Sequence, residues 1–216
     1  MGNDNNRGFI RTGLSQLGVL ITYPLVHALA GCLVLHITSS GVINNIIVRY
    51  LQKYIAKQNI AFAMVGIYAL FVFTILDYIV KILSKSDIDD SPTMRWIRII
   101  KKSTMISRIQ AIHVSLIDSF PLFAAAVIIS YVTSVPILVR NTFSILFVLS
   151  KLISSLSSFL YLEFPRSLFW AMSNICCYVL FSYAVWLDFP KYFKRAIRQW
   201  EYFFKDVSDY YGFRYK

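Results

Sequence analysis

Acidic residues and cysteines are both scarce in this chain. Its 216 residues include 11 Asp and Glu against 22 Lys and Arg, which leaves a net charge of +11. The basic residues concentrate between long apolar stretches, a pattern typical of contact with anionic lipid head groups and not of a nucleic-acid groove. Cys32, Cys176 and Cys177 lack the spacing of a zinc site or a C-x-x-C pair. We therefore expect no nucleic-acid partner and no metal, and we interpret the thiols as small buried hydrophobic groups.

Charge is also missing from several long runs of the sequence. Residues 58–76, 119–139 and 167–187 contain no charged side chain, and about 20 apolar residues are enough for an α-helix to cross a bilayer. Apolar residues make up 57% of the chain, against roughly 45–50% in soluble domains. The sequence thus predicts an all-α, polytopic integral membrane protein.

Five spanning helices are predicted in all. They cover residues 14–37, 58–80, 119–139, 141–162 and 167–187. The connections between the last three are so short that these helices must pack as antiparallel neighbours. A shorter element is expected around residues 41–48, and Pro121 and Pro136 are expected to bend the third span.

Two amphipathic helices are predicted outside the spans. Ser91 and Pro92 match the first positions of a helix that would lie in the head-group plane. From Lys191 onward, apolar side chains recur on one helical stripe. Its members are Phe193, Ile197, Trp200, Phe204 and Val207. This basic, aromatic tail is expected to lie on the membrane surface or against a partner.

Residues 108–123 read R-I-Q-A-I-H-V-S-L-I-D-S-F-P-L-F. This segment resembles the second-helix signature of the MAPEG superfamily, the membrane-associated proteins of eicosanoid and glutathione metabolism, which is approximately R-x-x-R-A-H/Q-x-N-x-x-E-x-x-P-L-F. Arg108, His113 and Asp118 match that pattern without a gap. A second segment, R-S-L-F-W from Arg166 to Trp170, is similar to the R-S-L-x-W that opens the family's last helix.

The resemblance implies a division of the chain into three parts. Residues 58–188 would form a MAPEG-like four-helix membrane core. Residues 1–57 would add an N-terminal transmembrane helix and a basic linker, and residues 189–216 would form the amphipathic tail. Family membership also implies a homotrimer.

A polar stripe runs along the helix that carries the first motif. At about 100° per residue, its side chains lie within roughly 80° of one another, whereas His113 points away. Its members are Arg108, Ala111, Ser115 and Asp118. In the family, such a stripe is implied to bind glutathione at subunit interfaces. The candidate binding residues, for glutathione or a lipid head group, are Arg108, Ser115, Asp118 and Arg166.

The chain departs from the family pattern at positions that matter for chemistry. The second Arg of the motif is Ala111, the Asn is Ser115, and the Glu is shortened to Asp118. In eicosanoid-type members, the thiol-activating Arg lies five residues beyond the R of R-S, which is Ala171 here. Lowering the pKa of a thiol requires a nearby fixed positive charge. We therefore assign no catalytic residue.

Lys151 stands in the middle of the fourth predicted span, among serines. A lysine at that depth should face protein and not lipid, and Asp118 or Glu163 could pair with it only near an interface. Three roles remain open for it: packing or inter-subunit contact, binding of a substrate or lipid head group, and ion conduction. His27 and His36 lie on opposite faces of the first span, so they are interpreted as hydrogen-bonded core or interfacial residues.

Two functional hypotheses follow from these patterns. The first is a catalytically degenerate MAPEG-like protein that serves as a structural, lipid-contacting subunit of a larger membrane assembly and needs no cofactor. The alternative is a transferase or peroxidase that uses glutathione on lipophilic electrophiles. A channel built around Lys151 is a third reading with less support. The high basic charge favours the mitochondrial inner membrane over the endoplasmic reticulum, with anionic lipids and other membrane subunits as partners.

Overall fold

A computed structural model describes residues 4–80, 104–186 and 188–210, and these ranges fold into helices with no strand among them. Within these ranges there are seven α-helices: α1 (Asp4–Ser39), α2 (Arg49–Leu51), α3 (Ile60–Leu70), α4 (Thr104–Val132), α5 (Ile137–Phe159), α6 (Glu163–Val185) and α7 (Phe189–Tyr210). The all-α prediction is confirmed. The predicted helix beginning at Ser91 and Pro92 lies outside the described residues.

In the part of the chain that the structure describes, five helical segments are long and apolar enough to cross a membrane, as predicted. They are Thr22–Ser39, Lys57–Val80, Ser107–Val132, Ile137–Phe159 and Glu163–Val185. Many large apolar side chains on these helices are exposed, among them Leu138, Leu156 and Tyr178. Such side chains are expected on surfaces that face lipid and not water. The protein is therefore an integral membrane protein.

The first two spans are separated by a short irregular segment. After α1 ends, Gly41 adopts a left-handed φ of 65°, which glycine tolerates because it has no Cβ. A π-helix at Ile43–Val48 and helix α2 follow, so the predicted short element at 41–48 is present. The second span changes helix type along its length, because α3 continues directly into a π-helix at Phe71–Leu76.

The third span ends earlier than its hydropathy predicts. Helix α4 stops at Val132, and Ser134 then takes a left-handed φ of 56°. Pro136 is the N-cap of α5 instead of a bend within the third span, so that expectation is wrong. The reason is that proline has no N–H to donate, and the start of a helix is where that donor is not needed. Pro121 does lie inside α4.

Helix α5 is the centre of the bundle. It packs against α3, α4, α6 and the π-helix at Ile43–Val48, and 67% of its span is buried, the largest share among the five. Its serines let neighbouring helices approach closely, and Ser144, Ser150 and Ser157 are all buried. The rings of Phe147 and Phe123 stack with centroids 4.0 Å apart. These contacts account for the central position of α5 in the bundle.

Buried polar groups anchor the first turn of α5 to the preceding membrane segments. The Nη2 of Arg140 donates to the carbonyl of Gln58 at 3.2 Å, and the Nδ2 of Asn141 donates to the carbonyl of Lys57 at 2.7 Å. The hydroxyl of Thr142 lies 2.7 Å from the Oδ1 of Asn44. Because these groups have little access to water, such bonds specify how α5 meets its neighbours.

The terminal helices pack on this core and on each other. Helix α1 lies against α6, and α7 packs against α1 and α6. Phe193 of α7 is buried between the rings of Phe143 and Tyr183, at centroid distances of 5.8 and 5.5 Å. Lys194, Arg195 and other basic residues of α7 are exposed. The tail is thus the amphipathic helix that the stripe predicts.

Candidate ligand-binding site

Arg108, near the start of α4, contacts the turn between α5 and α6. Its Nη1 donates to the carbonyl of Ser158 at 3.2 Å, and its guanidinium carbon lies 3.4 Å from the centroid of the Tyr161 ring. Tyr161 has a left-handed φ of 64°, which costs energy in a residue with a large side chain. The stacked guanidinium and the Ser158 bond stabilise this strained turn.

Arg108 and Arg166 line the same small cavity at this end of the bundle. Its volume is about 210 Å³ and its walls include Tyr161 and Glu163. Glu163 and Arg166 both belong to the first turn of α6 and are exposed. Two of the four predicted binding residues are therefore brought together, in a cavity that favours an anion.

A second cavity, of about 330 Å³, lies deeper between α1, α4, α5 and α6. Arg166 is at its edge, and the hydroxyl of Ser154 donates to the backbone carbonyl of Arg166 at 3.0 Å. The α5 side of this cavity is polar, aromatic rings come from Tyr23, His27 and Trp170, and Val26, Ile112 and Leu116 add apolar surface. The other lining residues are Thr22, Ser115, Lys151, Ser154, Ser155, Ser158, Arg166 and Ser167.

Lys151 is the most unusual residue of this cavity. Its side chain is only 2% exposed, and its Nζ has no hydrogen-bond partner among the described residues. Neither Asp118 nor Glu163, the partners considered from the sequence, hydrogen-bonds to it. The nearest aromatic groups are Phe147 and Trp170, with ring centroids 5.8 and 5.9 Å from Nζ. The ammonium group thus lies at the outer limit of cation–π contact with two rings.

The third cavity is a wider groove of about 740 Å³ between α4 and α6. Ser115, Lys151 and Trp170 line both this groove and the deeper cavity. Asp118 also lines the groove, together with polar residues such as Gln110 and Asn174 and apolar residues such as Leu122. The groove opens between exposed side chains of spanning helices, Val114 and Tyr178, and is therefore accessible from the lipid.

The four predicted residues consequently do not form a single cluster. Arg108 and Arg166 share the first cavity, Arg166 and Ser115 share the second, and Ser115 and Asp118 share the third. His113 lines none of the three, as its helical angle predicts. The polar stripe therefore lies along three neighbouring cavities. Each cavity shares lining residues with the next one.

The N-terminal helix contributes a wall that the motifs did not predict. The Nδ1 of His27 donates to the carbonyl of Tyr23 at 2.8 Å, so this histidine is a hydrogen-bonded residue, as interpreted from the sequence. Its ring also meets the Trp170 ring edge-on at 6.1 Å. Helix α1 thereby covers the cavity that contains Lys151.

The sequence profile of the MAPEG family matches residues 60–186. This chain belongs to the MAPEG family. No curated protein and no solved structure matches it. The matched region includes most of the second span and all of α4, α5 and α6, whereas α1 and α7 lie outside it. Membership relates this membrane protein to glutathione and eicosanoid metabolism.

At the MAPEG position expected to carry a thiol-activating Arg, the side chain of Ala171 is fully buried. An alanine methyl group carries no charge, so this position cannot stabilise a thiolate. The positive groups at the cavities are Arg108, Lys151 and Arg166 instead.

Sequence reasoning missed three residues that line these cavities. Tyr161 was missed because tyrosine is not typical of left-handed turns. Tyr23 was missed because it lies outside the family motifs. Trp170 was noted only as part of a motif, although its ring contacts Lys151 and His27. The sequence offered one signal for Trp170: it lies on the helix that follows the Lys151 helix, at a similar depth in the membrane.

Proposed function

We propose that this chain is a non-catalytic MAPEG-family protein that serves as a structural, lipid-contacting subunit of a larger membrane assembly. The observation that supports this proposal most directly is Ala171, a buried methyl group where the resemblance implies an activating guanidinium. The shortened Asp118 and the replaced Ala111 also weaken the family's tripeptide site.

The tail supports a role in assembly. Helix α7 holds Phe193 against the core but leaves Tyr202 and Phe203 exposed, at 69% and 58%. Arg195 and Arg198 are exposed on the same helix. Aromatic and arginine side chains of this kind are enriched at protein interfaces, so this surface fits another membrane subunit or the head groups of anionic lipids.

A glutathione-dependent transferase or peroxidase is the second candidate. It is favoured by the cations along the cavities, because glutathione carries two carboxylates. Arg108, Ser115, Asp118 and Arg166 would hold the charged ends of the tripeptide, and the groove would admit a lipophilic substrate from the bilayer.

Two measurements on the purified full-length protein separate these candidates. Isothermal titration with glutathione and a conjugation assay with a generic electrophile should both give no signal if the structural role is correct. Extraction in a mild detergent should then recover a constant set of other membrane proteins. Glutathione turnover that is lost in the Arg108→Ala variant would support the enzyme and contradict the structural proposal.

Further proposals concern the assembly and its membrane. The net charge of +11 supports placement in the anionic mitochondrial inner membrane, which fractionation with organelle markers would test. The family resemblance supports a homotrimer, and cross-linking in intact membranes before detergent is added would detect it. A product of monomer mass alone would argue against the trimer.

A further inference from the structure

One end of the bundle joins the first turns of α5, the linker at 40–57 between the first two spans, and α7. Asn141 of α5 donates to the carbonyl of Lys57 in the linker at 2.7 Å. Phe143 of α5 meets Phe193 of α7, with ring centroids 5.8 Å apart. Helix α7 begins only four residues after the last residue of spanning helix α6. The linker and the start of α7 therefore lie at the same surface of the membrane.

Basic side chains form a stripe on α7 that faces away from the core. At about 100° per residue, five of them lie within roughly 100° of one another, centred about 140° from the buried Phe193. This basic stripe consists of the exposed residues Lys191, Lys194, Arg195, Arg198 and Lys205. Glu201 and Asp206 lie about 20° outside its two edges, and Asp209 follows one turn after its last member. The outer surface of α7 is therefore positively charged along most of its length.

The linker adds positive charge at the same membrane surface. Arg49, Lys53 and Lys57 are exposed, and residues 40–57 contain no acidic residue. A pair of exposed aromatic rings accompanies each basic segment, and Tyr and Trp are enriched at the level of the head groups. The pairs are Tyr50 with Tyr54 in the linker, and Trp186 with Tyr192 at the start of α7, with centroids 5.5 and 5.4 Å apart.

The lysines of this surface favour a lipid over a protein as its partner. Five of the eight basic side chains in the linker and the stripe are lysines, and lysine is depleted at protein interfaces. Clusters of basic residues next to a spanning helix instead attract anionic head groups. Phe203 lies about 80° beyond the edge of the stripe, so a subunit can dock there while the stripe stays on lipid.

We infer that the linker at 40–57 and the basic stripe of α7 together bind anionic phospholipid head groups in the leaflet at this end of the bundle. This inference rests on the proposed lipid-contacting function, and it names both the class of lipid and the surface that binds it. The cations attract the negative charge of the phosphodiester. Phosphatidylcholine has no net charge and is therefore a poor ligand. Lipid bound in this way holds α7 against the membrane surface while Phe193 stays packed on the core.

The test measures by native mass spectrometry which lipids remain on the delipidated, full-length protein. Protein in detergent is equilibrated with equal amounts of dioleoylphosphatidylglycerol, which is anionic, and dioleoylphosphatidylcholine, which has the same acyl chains. Wild-type protein should retain phosphatidylglycerol at least about threefold over phosphatidylcholine at low salt. The preference should shrink as the salt concentration rises, because salt screens exposed charges.

Variants of α7 locate the binding surface. A neutral variant should lose at least about half of the preference, because four cations are removed. It combines Lys194→Gln, Arg195→Gln, Arg198→Gln and Lys205→Gln. Lys191 is kept, because its Nζ pairs with Asp188 at 2.9 Å. The matched control exchanges lysine and arginine at the same four positions and should keep the wild-type preference. It combines Lys194→Arg, Arg195→Lys, Arg198→Lys and Lys205→Arg.

A linker variant tests the second basic segment. It combines Arg49→Gln, Lys53→Gln and Lys57→Gln, and it should also lower the preference for phosphatidylglycerol. The change at Lys57 leaves in place the backbone carbonyl that accepts from Asn141, so the packing of the linker on α5 is retained. Thermal unfolding checks that each variant is folded. If the neutral variant is not, the linker variant and the salt titration of the wild type decide the question.

The outcomes separate this inference from the broader proposal. Wild-type protein without a preference for phosphatidylglycerol overturns the inference, as does a full preference in the folded neutral variant. A neutral variant that keeps its lipid preference but loses co-purifying membrane proteins would show that the stripe binds a subunit instead. Failure to recover partner subunits from the wild type would overturn the structural-subunit proposal and would not change the lipid preference.

Discussion

At the scale of single residues, the cations packed against the bundle, half-buried Arg108 and buried Arg140 and Lys151, distinguish this protein from a plain apolar bundle. Arg108 and Arg140 both have backbone acceptors and tyrosine rings within reach, whereas the Nζ of Lys151 has neither a carboxylate nor a carbonyl partner among the described residues. The first two cations therefore stabilise the fold. Lys151 is the residue whose presence needs a function.

Replacing Lys151 with methionine should stabilise the delipidated protein. Methionine keeps the length of the side chain but removes an unpaired buried donor, which costs about 1–3 kcal/mol or more when charged. We expect a higher melting temperature for Lys151→Met in detergent. Lys194→Met, at an exposed position, should change stability by less than about 0.5 kcal/mol. A large loss of stability in Lys151→Met would mean that the ammonium has a partner essential for folding.

The turn at Tyr161 provides a second prediction at this scale. Tyr161→Leu removes the ring that lies 3.4 Å from the Arg108 guanidinium while leaving a side chain at a left-handed φ. It should destabilise the protein by about 0.5–2 kcal/mol, measured by thermal unfolding. Tyr161→Phe keeps the ring and should keep most of that stability. Equal effects of the two substitutions would show that the stacked ring is not what stabilises the turn.

At the scale of elements, α5 is the helix on which the others depend. Its neighbours include three other spans, and its interior face combines small serines with the Phe147 ring. Helix packing within a bilayer relies on close van der Waals contact, because lipid tails are as apolar as the side chains they meet. Truncation of a large side chain on this buried face should therefore reduce stability more than truncation of a side chain on the face of α5 that contacts lipid.

Phe147→Ala tests that comparison on one helix. Phe147 is fully buried and stacks on Phe123 at 4.0 Å, so its truncation leaves a cavity and should cost about 3–5 kcal/mol. Leu156→Ala is the control, since Leu156 is on α5 but 58% exposed, and it should cost less than about 1 kcal/mol. Urea or thermal unfolding in detergent measures both. Similar losses at the two positions would contradict the central placement of α5.

At the scale of the whole molecule, two helices, α1 and α7, are added to the family core, and they contact different parts of it. Helix α1 covers the Lys151 cavity, and α7 packs with Phe193 on the core while presenting aromatic and basic groups outward. The first addition alters the site within the chain. The second leaves an aromatic and basic surface exposed, and we propose that the segment 189–216 acts as a unit separate from the core at 58–188 and binds partners through this surface.

Changing the exposed face of α7 should disrupt assembly without unfolding the chain. The double variant Tyr202→Ser and Phe203→Ser leaves the buried Phe193 in place, so insertion and thermal stability should stay near those of the wild type. We expect at least a severalfold loss of co-purifying membrane proteins. A control variant, Leu138→Ser, changes a lipid-exposed residue of α5 and should retain them. Unchanged recovery in the double variant would argue against the tail as a docking surface.

Local patterns in the sequence were enough to determine the helical class, the five spans, the amphipathic tail and the family. These features depend on composition, run length and periodicity, which are properties of neighbouring residues. Tertiary structure alone decided that the third span ends at Val132, that the four candidate residues are distributed over three cavities, and that Lys151 meets Trp170 beneath α1. The physical reason is that a cavity is formed by side chains from helices distant in sequence, whose relative rotation and depth are set by packing and not by any one segment.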